Sequence, residues 1–296
     1  MLEQHINRII QSNPQYAGLQ QAIEKEILHH DIFDVLIQQG VMQSLTFIGG
    51  TSLRLCYNSV RLSEDLDFTA GSSFKPSDLN GLDLQLQQYI ERKYETEVTV
   101  KCPPEKKQGD TATWKISMAR KANRPDIPKL NIHLDICALP SLTTEKKPLI
   151  NHYNIVAPTS GILIPVQSLA EIMTDKFIAL AYRAKRIVPR DIWDLTWISQ
   201  RGTPVSMRLL EQKLELRGKS KADFDHAMSD KLLKLQNEDQ VKRSFCNELS
   251  RFVPSHIKHR TLDDQDYWGY VQSEVTSLVE SLLQNASDNP FDMGAK

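Results

Sequence analysis

Two aspartates, Asp65 and Asp67, stand one residue apart among apolar residues in the segment SEDLDFTA. Side chains alternate along a strand, so both carboxylates are expected on one face, about 7 Å apart along the backbone, with Leu66 and Phe68 facing a core. Adjacent carboxylates repel each other and favour protonation unless a cation lies between them. Mg²⁺ (or Mn²⁺) suits the site because it takes one or two carboxylates and completes its shell with nucleoside phosphates. An exposed strand end is the plain alternative.

A glycine pair comes shortly before these aspartates. Gly49 and Gly50 follow the apolar run LTFI, and Thr51 and Ser52 are residue types that commonly begin helices. A strand that turns through glycines into a helix leaves backbone N–H groups at the helix start without partners, and these groups form a cradle for an anion such as phosphate. The pattern predicts a phosphate-binding turn beside a metal-binding strand, although a glycine pair alone is also typical of a plain turn.

A third acid stands in the segment KLNIHLDICAL, where Asp135 lies between two apolar residues in a run with strand character. Burying an unpaired carboxylate in such a strand is costly. We therefore expect Asp135 to join the two earlier aspartates at the metal, with an ion pair to Lys115 or Lys129 as the alternative. His133 is expected on the same face, either as a general base or as a packed side chain.

A second group of polar residues lies farther along the chain. Lys176 interrupts the apolar side of an amphipathic helix predicted over VQSLAEIMTDKFIALAYRAKR. In PRDIWDL, Asp191 and Asp194 are three residues apart and so lie on one face of the next helix. Each residue has an ordinary explanation, with Asp191 as a helix cap and Arg190 as a surface charge.

A sheet is needed to hold the candidate acids. The expected strands are LTFI, DLDFTA, TEVTVKC, TATWKISMA and KLNIHLDICAL, and the expected helices before residue 160 are LQQAIEKEILHHDIFDVLIQQ, TSLRLCYN and PSDLNGLDLQLQQYIERKY. Beyond residue 165 the chain is expected to be mostly helical. The predicted fold class is therefore α/β, with a mixed sheet and flanking helices in residues 1–160 and a mainly helical domain in residues 161–296.

The composition is that of an ordinary globular protein of one or two domains, with 296 residues and a formal net charge of −1. No apolar run approaches the ~20 residues that span a bilayer, and the N-terminal residues lack the pattern of a secretory signal. The four cysteines form no C-x-x-C pair, so neither a zinc site nor a disulfide framework is predicted. We expect a cytoplasmic protein with no membrane partner.

Positive charge concentrates in one segment of this nearly neutral chain. The basic residues there are Lys101, Lys106, Lys107, Lys115, Arg120, Lys121, Arg124 and Lys129, against Glu105, Asp110 and Asp126. With Arg183, Lys185, Arg186 and Arg190, this segment is expected to form a rim for an RNA backbone. A solvated loop is the alternative.

The segment from Ile48 to Phe68 resembles the signature of the nucleotidyltransferase superfamily related to DNA polymerase β, h-G-[GS] followed by [DE]-h-[DE]-h. It is most similar to the AbiEii/AbiGii toxins of type IV toxin–antitoxin systems, which carry GGT-x-L and R-x-S-[ED]-D-[LI]-D-[FL]. A later block resembles E-x-x-x-x-K-x-x-A-L-x-x-R and R-D-x-x-D-L of the same toxins. The matching residues are Arg61, Ser63, Glu64, Asp65 and Asp67, then Glu171, Lys176, Ala179, Leu180, Arg183, Arg190, Asp191, Asp194 and Leu195.

The resemblance implies a polymerase-β-like fold and a role for each candidate residue. The implied metal ligands are Asp65, Asp67 and Asp135, which with Lys176 form the implied catalytic set. The implied nucleotide-binding residues are Gly49, Gly50, Thr51, Ser52, Ser63, Lys176, Arg190, Asp191 and Asp194. The helices of the second domain are expected to close over the cleft.

The resemblance also implies an activity, the Mg²⁺-dependent transfer of a nucleotide from a nucleoside triphosphate to an RNA acceptor, with the tRNA 3′ end as the expected target. Growth arrest or phage defence would follow, and a separately encoded antitoxin would be the partner. Three alternatives stay open: transfer to a protein or small-molecule hydroxyl, a GTP-binding regulator without transfer, and a catalytically silent interaction module.

Overall fold

Two compact units make up this protein. The structure, a computed structural model, describes residues 2–104, 109–120, 128–184 and 186–284. One unit comprises Met1–Ser168 and Phe252–His256, and the other comprises Leu169–Arg251 and Ile257–Lys296. The predicted domain boundary at residue 160 and the predicted role of each domain remain predictions.

In the described part of the first unit there are four helices and seven strands. The helices are α1 (Leu2–Ser12), α2 (Gln20–Gln38), α3 (Gly49–Tyr57) and α4 (Leu82–Tyr94), with 3₁₀ turns at Pro14–Tyr16, Val41–Gln43 and Pro76–Leu79. The strands are β1 (Thr46–Ile48), β2 (Leu66–Thr69), β3 (Val98–Lys101), β4 (Thr111–Met118), β5 (Leu130–Cys137), β6 (Thr144–Pro148) and β7 (Leu163–Gln167).

All seven strands form one mixed sheet in the order β3-β4-β5-β2-β1-β7-β6. The central strand β2 runs parallel to β5 and antiparallel to β1. From β5 outward to the β3 edge of the sheet, β5 pairs with β4 and β4 pairs with β3, and both pairings are antiparallel. The acids predicted on β2 and β5 therefore lie on neighbouring strands, with the glycine turn following the next strand, β1.

One face of the sheet is buried beneath α2 and α4. Phe33 of α2 packs edge-on against Phe47 of β1, with ring centroids 4.9 Å apart, and against Phe68 of β2. Leu66 and Phe68 are fully buried, as the alternation in SEDLDFTA predicts. On β5, every second residue from Leu130 to Ile136 faces the same core, and the intervening residues are only partly buried. These intervening residues define the polar face of the sheet, which carries Asn131, His133, Asp135 and Cys137.

The sheet is wider than the sequence indicated. All five expected strands are present, but β6 and β7 were not predicted. Pro165 lies inside β7, where it pairs with Lys146 of β6, and a proline argues against a strand when only the sequence is read. The pairing of β7 with β1 is made through Val166, the residue that follows the proline.

The second unit is helical. The described helices after residue 168 are α5 (Leu169–Tyr182), α6 (Pro189–Ser199), α7 (Met207–Leu216), α8 (Lys221–Asn237), α9 (Asp239–Leu249), α10 (Ser255–Arg260) and α11 (Tyr267–Gln284). Helix α10 begins in the segment that is assigned to the first unit. Helix α5 packs against α6, α7 and α8. Pro189 begins α6, a position where its missing N–H costs nothing. The predicted fold class, a mixed sheet with flanking helices followed by a helical region, is confirmed.

Two further sequence expectations can be compared with the fold. All four cysteines are free, in agreement with the absence of a predicted disulfide framework. Among the described residues, no helix combines the length and the hydrophobicity that crossing a bilayer requires.

Candidate functional site

Asp67 and Asp135 are direct neighbours across two parallel strands. Their Cα atoms are register partners in the β2–β5 pairing, so both side chains lie on the polar face of the sheet. The same register places Thr113 of β4 beside Asp135 and Ile48 of β1 beside Asp67. We call Asp67 and Asp135 the carboxylate pair. Residues far apart in the sequence are thus brought side by side, as the search for a third acid predicted.

Asp65 lies just before β2 and is bound to β5 through a single residue. Its Oδ1 accepts a hydrogen bond from the backbone N–H of His133 at 3.0 Å, and the Nδ1 of the same histidine lies 3.1 Å from that oxygen. Both side chains are more than one-third exposed. Asp65 is therefore near the carboxylate pair, and His133 fixes its orientation.

The glycine turn touches the carboxylate pair. Gly49 has a φ of +78°, and a Cβ atom added there would lie 2.6 Å from Oδ2 of Asp67. At Gly50, a Cβ would overlap the guanidinium group of the buried Arg61. Because neither position has space for a side chain, glycine is required at both. The start of α3 therefore lies directly against the Asp67 carboxylate.

The hydroxyl groups of this turn are used inside the protein. Thr51 Oγ1 donates to the backbone carbonyl of Asp65, and Ser52 Oγ donates to the carbonyl of Gly49 at 2.7 Å. Both residues are buried, as is Ser63. The predicted phosphate cradle therefore depends on the backbone N–H groups of α3, while the hydroxyls hold the turn in shape.

Helix α2 contacts the loop before β2 through two of its side chains. Lys25 makes an ion pair with Glu64 at 3.0 Å, and His29 Nε2 lies 3.0 Å from the Glu64 carbonyl oxygen. Burial lowers the pKa of His29 to about 4, so the ring is neutral at pH 7 and donates its Nε2–H to that carbonyl. Sequence reasoning missed Lys25 and His29. The sequence signal was the presence of two polar and charged runs, EKE and HHD, among the apolar residues of this helix.

The carboxylate pair has the chemistry of a partial metal site. Asp135 Oδ1 is buried and has no hydrogen-bond partner among the residues that the structure describes, and a buried polar atom of this kind requires an explanation, such as a bound ligand. Two carboxylates also match the number that Mg²⁺ takes from proteins when phosphates complete its shell. Across the described ranges, no group of three or more His, Cys, Asp or Glu side chains is arranged to hold a metal ion. The chemistry of the pair fits Mg²⁺, and metal binding by Asp65, Asp67 and Asp135 remains a prediction.

The alternative explanation for Asp135 finds no support. Lys129 makes its ion pair with Glu97, at 2.8 Å. Lys115 makes no ion pair with any residue that the structure describes, and Asp135 Oδ1 has no partner among them. Within the described residues, Asp135 is therefore not an ion-paired structural aspartate.

Lys176 in the second unit is held by two aspartates of α6. Its Nζ lies 2.8 Å from Asp191 Oδ1 and 2.8 Å from Asp194 Oδ2. Arg183 approaches the other oxygen of Asp191 at 2.7 Å. Asp194 is completely buried and Asp191 nearly so. We call Lys176, Asp191 and Asp194 the lysine cluster, whose members were all predicted to act together.

Two other residues of the second block have partners elsewhere in that unit. Arg190 donates from Nε to Glu248 of α9 at 3.1 Å. Glu171 is buried and pairs with Lys213 of α7 at 2.6 Å. These contacts join α5, α6, α7 and α9. The binding of nucleotide by Arg190 remains a prediction, since its contact with Glu248 explains its position without a ligand.

The predicted basic rim is only partly within the described residues. Lys106, Lys107, Lys121, Arg124 and Lys185 lie outside them. Arg120 pairs with Glu24 at 2.6 Å, and Lys129 pairs with Glu97. Lys101 and Lys115 are exposed on β3 and β4. Of the described basic residues between Lys101 and Lys129, these two are the ones without an acidic partner.

Comparisons with known proteins show the family to which the chain belongs. The family described as nucleotidyl transferase AbiEii toxin, type IV toxin–antitoxin system, matches residues 31–271. None of the curated proteins compared with this chain matches it significantly. The nucleotidyltransferase toxin MenT4 of Mycobacterium tuberculosis H37Rv has a similar structure, with a TM-score of 0.59 and 19% identity over 95% of this chain and 88% of that one. A candidate nucleotidyltransferase of H. pylori gives a TM-score of 0.51 and 15% identity, over 90% and 96%. At these identities, the structural likeness shows the fold alone.

Proposed function

This chain belongs to the AbiEii family of nucleotidyl transferase toxins of type IV toxin–antitoxin systems, and from that premise we propose that it transfers a nucleotide from a nucleoside triphosphate to RNA. The family implies a nucleoside triphosphate substrate and an antitoxin partner. The acceptor in our proposal is a cytoplasmic RNA, with the 3′ end of tRNA as the first candidate. The antitoxin is proposed to be a separate protein.

One observation carries the proposal. Asp67 and Asp135 are register partners, and the glycine turn lies against Asp67 so closely that a single Cβ atom would collide with its carboxylate. A phosphate held by the N–H groups at the start of α3 would therefore lie beside both carboxylates. A site of this kind combines the binding of a triphosphate with the positioning of an attacking hydroxyl.

In the proposed mechanism, the turn at Gly49 and Gly50 binds the triphosphate through backbone N–H groups. Asp135 orients the acceptor hydroxyl and accepts its proton. The hydroxyl oxygen then attacks the α-phosphorus and pyrophosphate leaves. His133 holds Asp65 in place through two hydrogen bonds.

A divalent ion is proposed to bind at the carboxylate pair. Asp67 and Asp135 would hold it, with Asp65 as the predicted third ligand, and Mg²⁺ or Mn²⁺ bound there would neutralise phosphate charge and polarise the reacting phosphoryl group. The partnerless oxygen of Asp135 supports this assignment. We further propose that Lys176 binds a phosphate of the nucleotide, with its ammonium group oriented by Asp191 and Asp194.

The experiment that tests the proposal follows label from nucleotide into RNA. Each of the four nucleoside triphosphates, labelled at the α-phosphate, is incubated with the protein, Mg²⁺ and total RNA. We expect label in RNA, its loss with a metal chelator, and its loss in Asp67→Asn. Glu145→Gln, which changes an exposed acid on β6, is the matched control and should label RNA like the unaltered protein.

Other outcomes separate the alternatives. Label in protein or in a small molecule would replace RNA with another acceptor. Nucleotide binding without any transfer would favour a regulator or a silent module. Equal labelling by Asp67→Asn and Glu145→Gln would remove the carboxylate pair from the mechanism.

A further inference from the structure

A row of basic side chains crosses three strands of the first unit. Lys101 of β3 is the register partner of Lys115 of β4, and Lys115 is the register partner of His133 of β5. Directly opposed residues of antiparallel strands point to the same face, with Cβ atoms about 5 Å apart. We call Lys101, Lys115 and His133 the basic row.

The basic row lies on the polar face of the sheet. Its neighbours in each strand, Val100, Trp114 and Leu134, pack into the core on the opposite face. Lys101 and Lys115 are exposed, and His133 is 41% exposed. The row is therefore on the same face as the carboxylate pair.

One end of the basic row reaches the proposed active site. His133 binds Asp65, and two residues farther along β5 lies Asp135 with its neighbour Asp67. The glycine turn follows β1, on the other side of β2 from β5. The carboxylate pair thus separates the turn from the two lysines.

Neither lysine of the row is neutralised within the part of the chain that the structure describes. Among described residues, Lys101 and Lys115 make no ion pair, whereas Arg120 and Lys129 from the same segment are each bound to a glutamate. Two exposed lysines side by side repel each other, so the row favours a ligand that brings several negative charges.

From this geometry we propose that the basic row binds backbone phosphates of the acceptor RNA and leads its terminal hydroxyl to the carboxylate pair. The inference rests on the proposed function and adds the side from which the acceptor enters. The triphosphate is assigned to the glycine turn on the β1 side, so the β4–β3 side is left for the acceptor. Lysines on flexible stems, which carry no fork geometry for a particular base, suit contacts that do not depend on sequence.

The test measures RNA binding separately from nucleotide binding. The affinity of the full-length protein for a fluorescently labelled tRNA transcript is measured without nucleotide or divalent metal, over a series of salt concentrations. The same protein is then titrated with nucleoside triphosphate and Mg²⁺ without RNA. The variant is Lys101→Glu with Lys115→Glu. The control is Lys146→Glu, an exposed lysine on β6 at the opposite edge of the sheet.

We expect the double variant to raise the Kd for the transcript about tenfold and to reduce the salt slope by roughly 0.7 for each phosphate that the variant no longer binds. Its nucleotide affinity should stay unchanged, and Lys146→Glu should bind both ligands like the unaltered protein. If the glutamate variant does not unfold cooperatively, Lys101→Gln with Lys115→Gln takes its place, with a smaller expected loss in the same direction.

Three results would overturn the inference: no detectable binding of the transcript by the unaltered protein, an RNA affinity of the double variant equal to that of Lys146→Glu, or a loss of nucleotide affinity. Labelling of total RNA by the unaltered protein decides the proposed function independently. If RNA is labelled and the double variant keeps its RNA affinity, the acceptor path is wrong and the transfer reaction stands. If no RNA is labelled, the proposed function itself fails.

Discussion

The carboxylate pair of the first unit and the lysine cluster of the second are built on opposite electrostatic principles. Asp67 and Asp135 put like charges side by side, and one oxygen of Asp135 has no partner within the described chain. Lys176 lies 2.8 Å from each of two buried aspartates, so opposite charges compensate each other. We expect a bound cation to compensate the first arrangement, whereas in the second each aspartate already lies beside a basic side chain.

We expect this difference to separate residues that serve the proposed chemistry from residues that also hold the fold. Removing the charge of Asp135 relieves its repulsion with Asp67 and should not harm folding. Removing a charge from the lysine cluster leaves its partner buried and uncompensated. Activity and stability should therefore respond differently at the two places.

The largest expected effect concerns activity at the carboxylate pair. Asp135→Asn keeps the shape of the side chain and removes the charge, so nucleotide transfer should fall by about a thousandfold, equivalent to about 4 kcal/mol of activation free energy. The free energy of unfolding should stay the same or rise slightly. Incorporation of labelled nucleotide and urea unfolding measure the two quantities. A large loss of stability would instead make Asp135 a structural residue like Asp194.

The next effect concerns stability at the lysine cluster. Asp194→Ala should lower the free energy of unfolding by on the order of 3 kcal/mol, because Lys176 then lies beside a single aspartate in a buried place. Lys176→Met combined with Asp194→Leu should cost clearly less than the sum of the two single changes. Chemical denaturation of Lys176→Met, of Asp194→Leu and of the double variant, each compared with the unaltered protein, completes this double-mutant cycle. Additive costs would show that the pair is not coupled and would break the comparison.

A smaller effect should follow pH in the first unit. Burial lowers the pKa of His29 and of His30 to about 4, below the usual value near 6.5. The folded state therefore binds fewer protons than the unfolded chain, so stability is fully present above pH 6.5 and falls as pH drops from there toward 4. We expect a loss on the order of 1–2 kcal/mol per histidine by pH 5. His30→Gln should flatten this dependence in a thermal melting series, while the exposed His226→Gln should leave it unchanged.

The smallest effect calibrates the lysine cluster against an exposed ion pair. Lys129 and Glu97 are 2.8 Å apart, but 43% and 66% of their side-chain surfaces are exposed. Lys129→Ala should therefore change the free energy of unfolding by no more than about 0.5 kcal/mol. Thermal unfolding of Lys129→Ala and of Asp194→Ala under the same conditions gives the ratio of the two losses of stability. A cost similar to that of Asp194→Ala would mean that burial does not distinguish the two ion pairs.

Much of the site could be predicted because its residues violate local rules. Acids inside an apolar strand, such as Asp67 and Asp135, conflict with the pattern around them, and glycines before a helix point to a close approach. The five strands with clear alternation were found for the same reason. In contrast, β7 contains Pro165 and β6 is an exposed edge strand without apolar alternation, so neither pattern revealed a strand.

The supporting contacts could not be predicted, because they depend on tertiary pairing. Nothing in the order of residues indicates that Lys25 meets Glu64, that Arg61 packs under Gly50, or that Lys213 pairs with Glu171. The basic row is also invisible before the strand register is known. Lys101 and Lys115 stand out only as charges in a basic segment until β3 and β4 place them side by side.

The pairing of β2 with β5 has a consequence for the synthesis of the protein on the ribosome. Asp67 leaves the ribosome long before Asp135, and the two meet only when β5 has been made and inserted beside β2. A nascent or truncated chain that ends before β5 lacks Asp135 and so contains only one half of the carboxylate pair. On the proposed mechanism, we therefore expect such a fragment to be inactive in nucleotide transfer, and activity to require a chain in which β2 and β5 have paired.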